Sequence, residues 1–112
     1  ENKNALKVFI TNIGADYETP SYKASDYIKG AYKYLCLSDG RNYSINDLFN
    51  INLINKSKIK QDDSYVKFDS ENFNNIPTKI IRNNYEDSNS PGKHDGKKIA
   101  DEILSIYKNE YQ

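Results

Sequence analysis

The sequence predicts an α+β domain: a mostly antiparallel sheet of four or five short strands, with an N-terminal helix and a C-terminal amphipathic helix packed on one face. Three observations carry that expectation. Leu6, Val8 and Ile10 alternate with Lys7, Phe9 and Thr11, the period-two pattern of a strand. Asp39-Gly40 lies between Tyr34–Ser38 and Arg41–Ile45, where a tight turn fits. Ile99, Ala100, Ile103, Leu104, Ile106 and Tyr107 recur at helical spacing near the end of the chain.

Taken in order, the first strand ends at Gly14, and Thr19-Pro20 offers an N-cap with proline at the first helical position. Ala24, Tyr27, Ile28 and Ala31 then mark a short amphipathic helix, weakened by Gly30. Tyr17, Tyr22, Tyr27 and Tyr32 recur every five residues. Five residues advance a helix by about 140° beyond a full turn, so these rings form no stripe. A hairpin through Asp39-Gly40 would set Cys36 opposite Tyr43 and Tyr34 opposite Ile45. The competing reading extends the first helix through Leu37 and ends it at Asp39-Gly40. Tyr65 to Phe68 and Ile76 to Arg82 read as short strands, with Pro77 placing the second at an edge or starting it late. Asn83 to Gly96, rich in Ser, Asn, Pro and Gly, reads as a loop before the final helix.

One hundred and twelve residues make a single domain, spanning 1–112, that can fold without metals or disulfides. The 37% hydrophobic fraction includes ten Tyr, so aromatic rings have to complete the core. The chain contains no Met and opens at Glu1, which suggests a mature or excised fragment of a longer precursor. Sixteen basic and 16 acidic residues cancel, which disfavours nucleic acid as a partner and argues against a polybasic membrane anchor. Only Arg41 and Arg82 are arginines. Cys36 is the single cysteine, flanked by Leu35 and Leu37, and reads as a small buried apolar residue; a disulfide-stapled or Cys-rich zinc domain is excluded. No apolar run reaches the roughly 20 residues of a membrane span. The abundance of Asn, Lys, Ile and Tyr points to AT-rich coding in a bacterium or phage, and a secreted or extracytoplasmic site is favoured.

The leading candidate site runs from Pro91 through Lys98. Gly92, Lys93, His94, Gly96, Lys97 and Lys98 stand where a polar loop meets a helix N-terminus, whose free N–H groups attract anions. Lysines in a first helical turn are unfavourable unless something negative sits there, so a phosphate or carboxylate is the expected ligand. The segment departs from a nucleotide-binding phosphate loop: its glycines are too close, Lys98 replaces the magnesium-binding hydroxyl, and no strand leads directly into it. The bland reading is a solvated loop capped by Asp95, with the lysines paired to Asp101 and Glu102. His94, the only histidine, would have to serve any imidazole-dependent hydrolysis, with Cys36, Ser88 or Ser90 as nucleophile.

Carboxylate pairs occur at Asp62-Asp63, Asp69 with Glu71, and Glu86-Asp87, in polar sequence where solubility explains them; no metal or cofactor is implied. Asn46 to Lys60 admits a helix-turn-helix, with Leu48, Ile51, Ile54 and Ile59 inward and Asn55-Lys56-Ser57-Lys58 opening a recognition helix. Leu53 occupies the position where that turn prefers Gly. The favoured reading is a strand or mixed structure, with Phe49, Ile51 and Leu53 on one face and Asn50 and Asn52 on the other. Tyr and Asn also suit adaptable protein recognition. The expected function is therefore a non-enzymatic binding or protein-interaction module with a protein partner. Its alternatives are a small anionic-ligand-binding domain or hydrolase using the Gly92–Lys98 loop, and a DNA binder through Asn46–Lys60.

Overall fold

The computed structural model describes residues 6–15, 21–60 and 64–111. Strand β1 (Val8–Ile10) leads to helix α1 (Ala24–Asp39), a single-turn helix α2 (Ile45–Leu48) and strand β2 (Ile51–Asn55). A 3₁₀ turn (Ser70–Phe73) precedes β3 (Lys79–Asn83); a hairpin of β4 (Glu86–Asp87) and β5 (Ser90–His94) then feeds helix α3 (Gly96–Tyr111). The chain is α+β, as its sequence predicts, but its main sheet is not antiparallel. Strands β1, β2 and β3 lie in that order and both pairs are parallel, with Val8 opposite Ile51 and Ile51 opposite Lys79. Among the described strands, β4 and β5 pair antiparallel, as a separate sheet.

Parallel pairing follows from the connections. A parallel neighbour needs a crossover of a dozen or more residues, and the stretch between β1 and β2 holds all of α1. Right-handed crossovers that step in one direction across a sheet lie on the same face. Accordingly α1 and the segment from Val66 to Ile76 share one face. Ala24 and Ile28 of α1 cluster there with Phe9, Ile54, Phe73 and Ile80. Strand side chains alternate, so Val8, Ile10, Ile51, Leu53 and Ile81 point the other way, and α3 covers them with Ile99, Ile103 and Ile106. The two helices therefore pack on opposite faces, not on one. β2 is buried on both sides, with Ile51 through Ile54 all inaccessible.

This architecture decides several local readings. The hairpin at Asp39-Gly40 does not form; α1 runs on to Asp39, and Gly40, at φ 65°, terminates it. The N–H groups of Gly40 and Arg41 both reach the Cys36 carbonyl, a helix-ending arrangement. A glycine with positive φ serves a type I′ turn and a helix end equally, so the local signal is ambiguous. Cys36, on α1, is half-buried, and Tyr34 and Leu37 are exposed. The predicted loop at Asn83–Gly96 contains the β4–β5 hairpin, disguised by Pro91 and Gly92. Gly92, at φ 85°, accepts the Gly14 N–H at 3.0 Å, and a Cβ on Gly14 would stand 3.2 Å from the Gly92 oxygen. Asn46–Lys60 divides into α2, β2 and a loop, which fits the favoured mixed reading and leaves no second helix for a helix-turn-helix. Phe49 lies outside β2 and joins the α1 face with Phe9, its ring centroid 5.1 Å away.

The remaining expectations hold in part. Pro77 delays β3 to Lys79, and Tyr65 makes one bridge to Gly14 rather than a full strand. The α3 stripe is narrower than its apolar content: Leu104 and Tyr107 face outward. The cap predicted at Thr19-Pro20 lies outside the described residues. At Lys23, where the described helix begins, the backbone N–H donates to Asp26 at 2.8 Å.

Candidate functional site

Because β1, β2 and β3 run parallel, their carboxyl ends open at the same edge of the sheet, the usual ligand position in parallel α/β sheets. A cleft of about 320 Å³ occupies that edge. β1 contributes Thr11, Asn12 and Ile13 as it leaves the sheet; β2 contributes Ile54 and Asn55, then Lys56, Ser57 and Lys58. Arg82 comes from β3, and the segment from Tyr65 to Phe68 makes the opposing wall. Among the described lining residues there are four cations, Lys56, Lys58, Lys67 and Arg82, and no Asp or Glu.

Local bonds give this cleft its form. The Arg82 guanidinium lies over the Phe68 ring, 4.3 Å from its centroid, which holds the planar fork in place. Lys58 Nζ sits 5.8 Å from the centroid of Tyr65. Asn55 bridges both ways: its side chain donates to the Ser57 carbonyl at 2.7 Å and accepts from the Tyr85 N–H at 2.9 Å. The Thr11 hydroxyl donates to Asn52 Oδ1 at 2.8 Å, and the fully buried Asn52 Nδ2 has no partner among the described residues. Tyr65 OH donates to Glu86 at 2.5 Å and accepts from the Lys60 N–H at 2.8 Å.

Glu86 is fully buried behind this wall. Burial alone would raise its pKa, but donation from Ser57 and Tyr65, and from the N–H groups of Gly92 and Ile59, holds the carboxyl below its ordinary range. The first turn of α1 approaches the same region but is already satisfied. The Ala24 N–H donates to the Lys67 carbonyl, and the Ser25 N–H and hydroxyl both donate to Asp69. That helix terminus therefore offers its ligand-binding capacity to Asp69 rather than to the cleft.

None of the six residues singled out in the sequence lines this cleft. Gly92 donates its N–H to Glu86 at 2.8 Å, and the N–H groups of Lys97 and Lys98 go to Asp95, which caps α3 at Gly96. Lys97 pairs with Asp101 at 2.9 Å, which raises its pKa. Lys98 Nζ binds the Glu86 carbonyl at 2.8 Å, and Lys93 is exposed on β5. His94 Nε2 lies 3.0 Å from the Thr11 carbonyl; a carbonyl only accepts, so this contact requires the proton on Nε2. Among the described residues, Cys36, Ser88 and Ser90 make no hydrogen bond to His94. Asp62-Asp63 lies outside the described residues, Asp69 is committed to α1, and Asp87 accepts the Asn89 N–H. The described residues hold no group of three or more His, Cys, Asp or Glu placed to bind a metal ion. No described helix is long and apolar enough to cross a membrane.

In the sequence, Lys56, Ser57 and Lys58 enter only through the disfavoured helix-turn-helix reading, which gives them no common site with Arg82. A usable signal was present: cations directly follow the apolar run Ile51–Asn55, and Arg82 stands near the end of the run beginning at Lys79. That pattern marks a carboxyl-end site only once the strands are known to be parallel. No family model matches the sequence, and no curated protein shows significant similarity to it.

Proposed function

We propose that this domain binds a small organic anion, a phosphate monoester or a carboxylate with an apolar body, in the cleft at the carboxyl edge of its parallel sheet. The segregation of charge carries the reading. The whole chain is neutral, yet four cations and no described acid line one cleft. Arg82, stacked on Phe68, offers a bidentate donor for a phosphate or carboxylate oxyanion. Ile13, Ile54, Val66 and Phe68 supply apolar surface for the remainder of the ligand. This replaces the Gly92–Lys98 loop as the favoured anion site, because Gly92, His94, Lys97 and Lys98 are bound within the chain.

The test is an NMR titration with phenyl phosphate, using phenol as the uncharged control. Amide shifts should concentrate at Asn12, Ser57, Lys58 and Arg82, and Arg82→Ala should weaken binding by about tenfold. Lys93→Ala should leave it unchanged, and salt at about 0.15 M should weaken it by screening. Shifts spread evenly over the lysines, or an equal loss in Arg82→Ala and Lys93→Ala, would remove the reading.

A protein-interaction module remains the second reading, supported by one observation. Leu6 and Val8 border a shallow apolar groove with Ile103, Leu104 and Tyr107, and Leu104 is 52% exposed. Self-association in sedimentation that Leu104→Glu abolishes would support it; a monomer at every concentration would remove that form of it.

A further inference from the structure

Glu86 is a fully buried carboxylate that takes four hydrogen bonds, all from neutral donors. Its Oε1 accepts from the Ser57 hydroxyl at 2.7 Å and the Ile59 N–H at 3.1 Å. Its Oε2 accepts from Tyr65 OH at 2.5 Å and the Gly92 N–H at 2.8 Å. Lys98, the cation beside it, binds the main-chain oxygen of Glu86 instead of the carboxylate. A buried charge is costly unless compensated, so this one survives by collecting donors from three separate segments.

Two of those segments are the walls of the cleft. Ser57 belongs to the loop after β2 that carries Lys56 and Lys58, and Tyr65 opens the wall that carries Lys67 and Phe68. Each oxygen of one carboxylate thus holds one wall. We infer that Glu86 is the positioning residue of the cleft: it fixes the separation of the Lys56–Lys58 loop from the Tyr65–Phe68 wall, and thereby the affinity for the anion. The inference rests on the proposed anion-binding reading, which it deepens.

Charge and position predict opposite signs for one substitution. Glu86→Gln removes a negative charge near a cationic cleft, so a purely electrostatic role predicts tighter binding of phenyl phosphate. A positioning role predicts weaker binding. Gln presents one oxygen and one NH₂, so one donor pair, Ser57 with Ile59 or Tyr65 with Gly92, meets a donor in place of an acceptor. Amide exchange of the ligand-free protein reports this directly: the Ile59 or Gly92 amide should exchange about tenfold faster in Glu86→Gln, with β2 and α3 amides unchanged, and phenyl phosphate should bind about tenfold more weakly.

Local exchange unchanged in Glu86→Gln would overturn the clamp, whether or not wild type binds phenyl phosphate. Faster exchange with equal or tighter binding would overturn its role in affinity. Absence of binding by wild type sinks the anion reading, and with it the affinity clause, while exchange still decides the clamp. If Glu86→Gln fails to fold, Tyr65→Phe removes one of the four bonds and should show the same two changes in smaller measure.

Discussion

At the residue scale, the two buried carboxylates Asp69 and Glu86 shape this protein most. Asp69 is 4% exposed and ties the first turn of α1 to the segment after Phe68. Burial would raise its pKa, but the Ser25 hydroxyl, Asn72 and the Ser25 N–H outweigh it and lower the value. Both carboxyls therefore release their protons more readily folded than unfolded. Their stabilisation is complete above the unfolded range of about 4 and disappears as pH falls through the lower folded values. The melting temperature should hold steady near neutrality and drop steadily below about pH 4 to 5, less steeply in Asp69→Asn, because one of the two linked protonations is gone. Asp69→Ala should cost about 2 kcal/mol in denaturant unfolding, through loss of the α1 cap and the donors left unpaired. The sequence showed Asp69 only as half of a carboxylate pair with Glu71. Its partner Ser25 is far away in the chain, and no local pattern joins them.

At the element scale, α1 decides how the rest of the chain is arranged. Its true length turns on Gly40, whose positive φ the sequence supports for either a hairpin or a helix end. Two glycines in and after this helix should respond with opposite signs. Gly40→Ala places a side chain at φ 65° and should destabilise by about 1 kcal/mol. Gly30 lies in the helix interior, and a Cβ added there would meet nothing within 4 Å, so Gly30→Ala should stabilise by about 0.5 to 1 kcal/mol. Chemical unfolding of the two variants checks both. Helix α3 was legible because its apolar residues follow a 3.6-residue period over several turns. Even there the pattern overstated the buried stripe: Ile99 and Ile106 are buried, whereas Leu104 and Tyr107 are exposed. Ridge spacing sets a helix face, but the width of that face depends on what it packs against.

At the scale of the whole molecule, three parallel strands divide two apolar clusters, one under α1 and one under α3. β2 belongs to both, since its side chains alternate between them and it is hydrogen-bonded on each side. It should be the last element to open: the Leu53 amide should exchange with solvent more slowly than those of β4 and β5, which form a separate two-stranded sheet. Equal protection across all five strands would contradict a core centred on β2. The cleft is a product of the same arrangement, because Thr11, Lys56 and Arg82 meet only where three parallel strands end together.

Short-range periodicity in the chain encodes the alternating β1, the amphipathic α3, a helix after Lys23 and a strand delayed by Pro77. Composition adds a neutral charge and a lone cysteine, and together with the periodicity it places the chain in the α+β class. None of these signals reaches the direction of the main sheet, the placing of its helices on opposite faces, or the meeting of Lys56, Lys58, Lys67 and Arg82 around one cleft; long-range packing settles all three. The physical reason is range. Side chains two, three or four residues apart are neighbours within a strand or helix whatever else the chain does, whereas strand direction and cleft composition depend on contacts between segments tens of residues apart.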